Sequence, residues 1–123
     1  IVIEANMMVH LAKGSILPAA MRYQGEVAQA VNATKAAGVD NAAQADLLRS
    51  LTATITDFQK SIAALEKAVG HHAAGDAFDH AKHTREQIVP AMAELRKLGD
   101  KLETMVADDI WPLPTYREML FIK

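Results

Sequence analysis

The chain of 123 residues contains no cysteine, few aromatic residues and no excess of basic over acidic side chains. Without cysteine it can form neither disulfides nor thiolate metal sites, which is typical of a protein from a reducing compartment. With a formal net charge of −2 it also lacks the basic surface that nucleic-acid binding normally requires. We therefore predict a cytoplasmic location and no nucleic-acid partner.

Long hydrophobic runs are absent as well. No stretch approaches the roughly 20 apolar residues needed to cross a bilayer, and no secretory signal pattern is present, so we predict no membrane partner. The length fits a single domain. The sequence begins at Ile1, already inside a stretch with a helical pattern, so we expect a piece of a longer chain.

What the sequence does contain is alanine-rich helical pattern, clearest in a long central stretch. We predict a helix from about Ala42 to Gly70, with Asn41 and Gln44 as a capping box and Gly70 in the left-handed conformation at its end. Its apolar residues recur at steps of three and four, the spacing of a seam between packed helices. They are Leu48, Leu51, Ile55, Phe58, Ile62, Leu65 and Val69.

Two more helical regions flank this one. The first is predicted over residues 2–37 with a break near Gly14, Ser15 and Pro18, and the third from an N-cap at Asp76 to about Asp108, bent at Pro90. Their predicted apolar faces are Ile3, Met7, Leu11, Leu17, Met21, Val27 and Val31 in the first, and Ile88, Met92, Leu95, Leu98, Leu102 and Val106 in the third. Short connectors make neighbouring helices antiparallel. The predicted fold class is all-α: an antiparallel three-helix bundle of long helices, residues 1–108, with an extended, proline-containing C-terminal tail, residues 109–123.

A histidine-rich stretch offers one candidate metal site. Asp76, His80 and His83 are spaced to share one face of a helix, and His71 and His72 lie just before it. Imidazole and carboxylate groups are good zinc ligands, but a structural site needs about four of them with support from a second shell. The alternative is an ordinary polar helix start.

The stretch "HLAKGS", residues 10–15, offers a second candidate. It resembles the His, Lys and Gly spacing of histidine phosphotransfer domains, in which an exposed histidine carries a phosphate. His10, Lys13 and Gly14 would take these roles, although that motif normally lies in a central helix of a four-helix bundle. The alternative is a surface His and Lys. No motif for a phosphate loop, a serine hydrolase or a zinc protease is present, so we predict no catalytic residue.

The C-terminal tail is apolar and stiffened by proline. Trp111 precedes Pro112 and Leu113 precedes Pro114, which favours extended backbone at both positions. Each large apolar side chain gains about 1.5–3 kcal/mol on burial, so the tail is expected to dock, either on its own bundle or on another domain or subunit. The candidate docking residues are Trp111, Pro112, Leu113, Pro114, Tyr116, Leu120 and Phe121.

The segment "WPLPTYREMLF", residues 111–121, resembles the C-terminal signature of type III glutamine synthetases. Two other segments are similar to that family in the same order. "IEANMMVHLAKGSILPAAMRY", residues 3–23, resembles the helix that enters this region, and "IVPAMAELRKLGDKLE", residues 88–103, resembles its last long helix.

The resemblance implies a parent enzyme that makes glutamine from glutamate and ammonia with ATP and Mg²⁺ or Mn²⁺, in a large ring-shaped oligomer. Its catalytic and cofactor residues belong to a preceding region, so the resemblance implies no cofactor in these 123 residues. It implies a structural role instead, with the catalytic domain of the same chain or neighbouring subunits of a homo-oligomer as partners.

Overall fold

A computed structural model describes residues 1–71 and 75–114. These ranges contain helices and turns without a β-strand, and none of their helices is long and apolar enough to cross a membrane. The elements are α1 (Val2–Leu11), a first π-helical turn (Ala12–Ile16), α2 (Leu17–Ala36), α3 (Ala42–Gly70), α4 (Ala77–His83), a second π-helical turn (Thr84–Ile88) and α5 (Val89–Met105). The predicted all-α fold of three long helical regions is confirmed.

The central helix α3 packs against α1, α2 and α5. The connection from α2 to α3 reverses the chain at Gly38, whose φ of 76° favours glycine. Gly75 has a φ of 94°, and a side chain there would come within 2.8 Å of Asp79 Cβ. The prediction for Gly70 was wrong, because Gly70 is not among the left-handed glycines of the described chain and the helix ends through His71 at φ −92°.

The observed N-caps of the helices agree only partly with those predicted from the sequence. Asp76 caps α4 as predicted, since its Oδ1 accepts a hydrogen bond of 2.9 Å from the Asp79 amide. Asn41 lies at the N-cap position of α3 but its side chain does not cap the helix. Its amide nitrogen donates instead to the Val31 carbonyl at 2.8 Å, which ties α3 to the end of α2. Asp40 Oδ1 accepts from the Ala42 amide at 3.2 Å in its place.

The apolar seam of α3 forms the centre of the core. Leu51, Ile55, Phe58, Ile62 and Leu65 are all buried, as predicted, and Leu48 and Val69 are partly buried. The predicted face of the third region is also confirmed: Ile88, Leu95, Leu98, Leu102 and Val106 are buried and Met92 is partly buried.

The predicted face of the first helical region was partly wrong: Val27 is buried and Leu17 and Val31 are partly buried, but the other four residues are exposed. Ile3, Met7 and Met21 are 76%, 66% and 51% exposed, and Leu11 is 38% exposed. The residues that pack inward are mostly smaller: Ala5, Ala12, Ile16, Ala19, Ala20 and Val27. Alanine allows two helix backbones to approach closely, so small side chains fill much of the interface, while Ile3, Met7 and Leu11 of α1 stay outside.

Both irregular turns precede a proline by the same distance. The first π-helical turn ends at Ile16, two residues before Pro18, and the second ends at Ile88, two residues before Pro90. Proline lacks an amide hydrogen and its ring crowds the carbonyl four residues earlier. A π-helical turn shifts the hydrogen bonds by one residue at this point, so the helix continues through each proline. The break predicted near Gly14 is therefore a widened turn.

Candidate functional site

Trp111 forms part of the wall of a groove between the helices of the bundle. After α5, Val106 takes an extended conformation, and the amides of Ile110 and Trp111 both donate to the Ala107 carbonyl at 3.0 Å. This turn reverses the chain and returns the tail towards the bundle. Trp111 is only 9% exposed and belongs to the same core cluster as Phe58 and Leu102.

The groove has a volume of about 300 Å³ and lies between α1, α3, α5 and the start of the tail. Its walls are mainly apolar, with Met8, Leu11 and Ile16 on one side and Leu113 on the tail. Polar side chains from α5 also line it: Arg96, Asp100 and Glu103. A mainly apolar groove of this kind can hold apolar chain.

The predicted docking residues divide into two groups. Trp111 is buried and Leu113 is partly buried against the chain's own bundle, while Pro112 and Pro114 are exposed. Tyr116, Leu120 and Phe121 lie outside the described residues. Whether any of the seven also meets a partner stays a prediction.

A second apolar surface lies beside the groove, on the outer face of α1. Ile3, Met7 and Leu11 follow one another at steps of four and are exposed. Together with Met8 they form most of a shallow surface depression of about 600 Å³, which Asn6 and His10 complete. Met8 and Leu11 line both the depression and the groove, so the two are continuous. The helical pattern did not predict this surface, because it assigned Ile3, Met7 and Leu11 to the core.

Two side chains of the predicted metal site, Asp76 and His83, form hydrogen bonds within the bundle. Asp76 caps α4, and His83 Nε2 lies 2.6 Å from the Ala68 carbonyl oxygen of α3. A carbonyl oxygen can only accept, so Nε2 of His83 carries the proton and donates it. In residues 1–71 and 75–114 no three His, Asp or Glu side chains are grouped closely enough to hold a metal ion. His72 lies outside these ranges.

The residues of the phosphotransfer hypothesis lie at the junction of α1 and the first π-helical turn. His10 is exposed, and the space around Gly14 is open. Lys13, however, forms an ion pair with Glu66 of α3, with Nζ 3.0 Å from Oε2. The cation that would neutralise a phosphate therefore connects α3 to the N-terminal helical region.

The fold and these sites define an all-α helical module in which several polar residues of the candidate sites stabilise helix ends and helix contacts. No family model matches the chain. It is 29% identical over 133 aligned residues to the type-3 glutamine synthetase of Dictyostelium discoideum, covering 98% of this chain and 17% of that protein. It is 28% identical over 130 aligned residues to the glutamine synthetase of Bacteroides fragilis (strain YCH46), covering 98% and 18%.

The resemblance to type III glutamine synthetases is thereby confirmed over nearly the whole chain, including the central part that the quoted segments left out. The chain spans less than a fifth of the length of these two relatives.

Proposed function

We propose that the chain is a structural helical module of a glutamine synthetase, an ATP-dependent glutamate–ammonia ligase. The observation that carries the proposal is the match of 98% of this chain to 17–18% of two relatives that are named glutamine synthetases. A module of this kind packs against the catalytic region of its own longer chain or against neighbouring subunits of a homo-oligomer. The ligase reaction with ATP and Mg²⁺ or Mn²⁺ then takes place in that other region, in the cytoplasm.

The use of polar side chains within the module supports a structural role. Asp76 caps a helix, His83 joins α4 to α3, and Lys13 pairs with Glu66 across two helices. Without these contacts, each of these side chains would be a candidate for binding a ligand or for catalysis. A group that already holds a structural hydrogen bond or ion pair is less available to bind a substrate.

The proposal is tested on the Dictyostelium relative by deleting the segment that matches this chain. Light scattering gives the mass of the assembly, and glutamine formation from glutamate, ammonia and ATP gives its activity. We expect the deletion to lower the number of subunits per assembly, calculated with the shortened subunit mass, together with the activity, and the 123-residue chain alone to form no glutamine. A deleted enzyme that keeps its full number of subunits and loses only its activity would assign the segment a catalytic role and refute the proposal.

A second function, phosphotransfer through His10, is favoured by one observation: His10 is exposed beside an open glycine. It predicts acid-labile phosphate on the chain after incubation with a small phosphodonor such as acetyl phosphate, and none on the His10→Gln variant. Equal labelling of the two proteins, or no labelling of either, would remove this alternative.

A further inference from the structure

We propose that the groove beside Trp111 is a binding site for a small amphiphilic amine, a molecule with an apolar body and one positive charge. The site goes beyond the proposed structural role, because its described walls all come from this chain. Its volume of about 300 Å³ lies at the lower end of the range for small-molecule pockets, so the groove fits a compact ligand. The residues that line it define the chemistry of that ligand.

The apolar walls of the groove contact the body of the ligand. Phe58 of α3 and Trp111 provide aromatic rings, and Met8, Ile16 and Leu95 provide aliphatic surface. Phe58 is 1% and Trp111 9% exposed, so both rings are held in place by the core. An aromatic ring attracts a cation through the negative potential of its face, most strongly when the ring is tryptophan. The walls therefore suit an apolar molecule with a positive charge.

Gly99 keeps the groove open on the side of α5. Glycine is unfavourable in the interior of a helix, and Gly99 lies well inside α5. Among the described atoms, only Phe58 Cε1 would lie within 4 Å of a Cβ atom at this position, at 3.8 Å, which is an ordinary van der Waals distance. Close packing of the helices therefore does not require a glycine here. A larger side chain would instead occupy part of the groove that Gly99 lines.

The charged side chains of α5 favour a cation over an anion. Asp100, Glu103 and Arg96 line the groove, two carboxylates against one guanidinium. Within residues 1–71 and 75–114, neither carboxylate takes part in an ion pair. Glu103 lies in the last turn of α5, which contains no basic residue and where the helix carbonyls add partial negative charge. The electrostatic potential at this end of the groove is therefore negative.

Trp111 provides a direct assay, because the only tryptophan of the chain lies in the groove. The probe is phenethylammonium, and 3-phenylpropionate is its matched control, with the same phenyl ring and the opposite charge. We expect phenethylammonium to change the Trp111 emission of the 123-residue chain saturably, and 3-phenylpropionate to bind about tenfold more weakly. The absence of a saturable change with phenethylammonium up to millimolar concentration, or equal affinities for the two probes, would overturn the inference.

A variant that fills the groove tests the position of the site. Gly99→Leu extends a side chain into the groove, and Gly25→Leu makes the same change at an exposed position of α2, where no described atom lies within 4 Å of an added Cβ. We expect Gly99→Leu to lose most of its affinity for phenethylammonium and Gly25→Leu to bind like the wild-type chain. Should circular dichroism show Gly99→Leu to be unfolded, Gly99→Ala serves instead, with a severalfold loss expected. Unchanged affinity in the folded variant would place the amine elsewhere and refute the inference.

The charge is tested with Glu103→Gln. This variant should bind phenethylammonium severalfold more weakly and discriminate less between the two probes, because a carboxylate at the groove is lost. Glu94→Gln is the matched control, since Glu94 is an exposed residue of the same helix that is not among the described residues lining the groove. A Glu103→Gln chain with the same preference for the amine as the wild-type chain would contradict recognition of the cation by this carboxylate.

Discussion

Replacing Trp111 with alanine provides the sharpest test of how the bundle closes. The side chain is 9% exposed and packs in the same core cluster as Phe58 and Leu102, on residues that come after the last helix. If the tail is part of the folded core, its removal must destabilise the whole bundle. If the tail is an appendage, the bundle must keep its stability.

The magnitude follows from the burial. A tryptophan removed from a core typically costs 3–5 kcal/mol of folding free energy. Trp111 borders a groove of about 300 Å³, so part of its surface lacks close neighbours and the lower end of that range applies. We expect a loss of about 3 kcal/mol. For a chain of this size that corresponds to a melting temperature lower by about 10 °C.

The assay is urea and thermal unfolding followed by far-ultraviolet circular dichroism. Met21→Ala serves as the control, because Met21 is 51% exposed and surface substitutions usually change stability by less than about 0.5 kcal/mol. Trp111 is the only tryptophan, so its fluorescence in the wild-type chain reports on the same contact. Its emission should shift to longer wavelength in the same transition that abolishes the helical signal.

Two results would refute this reasoning. One is a Trp111→Ala variant that unfolds at the same urea concentration as the wild-type chain. The other is a wild-type emission maximum that already matches the unfolded chain under native conditions. The first would mean that Trp111 contributes little to the stability of the bundle, and the second that its side chain is exposed in solution.

Three other predictions concern the helices. Ala12→Leu should cost about 1–3 kcal/mol because Ala12 is buried at a close helix contact, whereas Ala53→Leu at an exposed position should cost little, as measured by urea unfolding. Asp76→Ala should cost about 0.5–2 kcal/mol through loss of the α4 cap, and Asp76→Asn should retain most of it. Zinc should leave the melting temperature unchanged, since His83 is already bonded to a carbonyl; a rise that depends on zinc concentration would revive the metal hypothesis.

The sequence predicts those parts of the fold in which large apolar residues are confined to one face. In α3, Leu51, Phe58 and Leu65 recur at seven-residue spacing, and Ile55 and Ile62 lie between them on the same face, so the large apolar residues are confined to one side of the helix. The face of the third helical region was also predicted correctly, because its periodic residues begin at Ile88, at the end of the second π-helical turn, and continue without interruption.

The same reasoning fails in the first helical region for two physical reasons. A π-helical turn at Ala12–Ile16 adds a residue to one turn of the helix, which rotates the faces before and after it by about 100° relative to each other. Apolar residues counted at regular α-helical spacing from Ile3 through Met21 therefore cannot all lie on one face of this helical region. In addition, the buried positions Ala5 and Ala12 are seven residues apart but carry small side chains. A pattern based on the largest apolar residues overlooks them.

The composition of α1 connects this error to the candidate site. Residues 2, 3, 5, 7, 8, 9 and 11 are all apolar, so hydrophobic side chains surround the helix on every side. A helix that is apolar all round is normally buried all round. The bundle covers only the side that carries Ala5, and Ile3 and Met7 remain exposed. The described helices α2, α3 and α5 therefore leave the outer side of α1, with Ile3, Met7 and Leu11, uncovered.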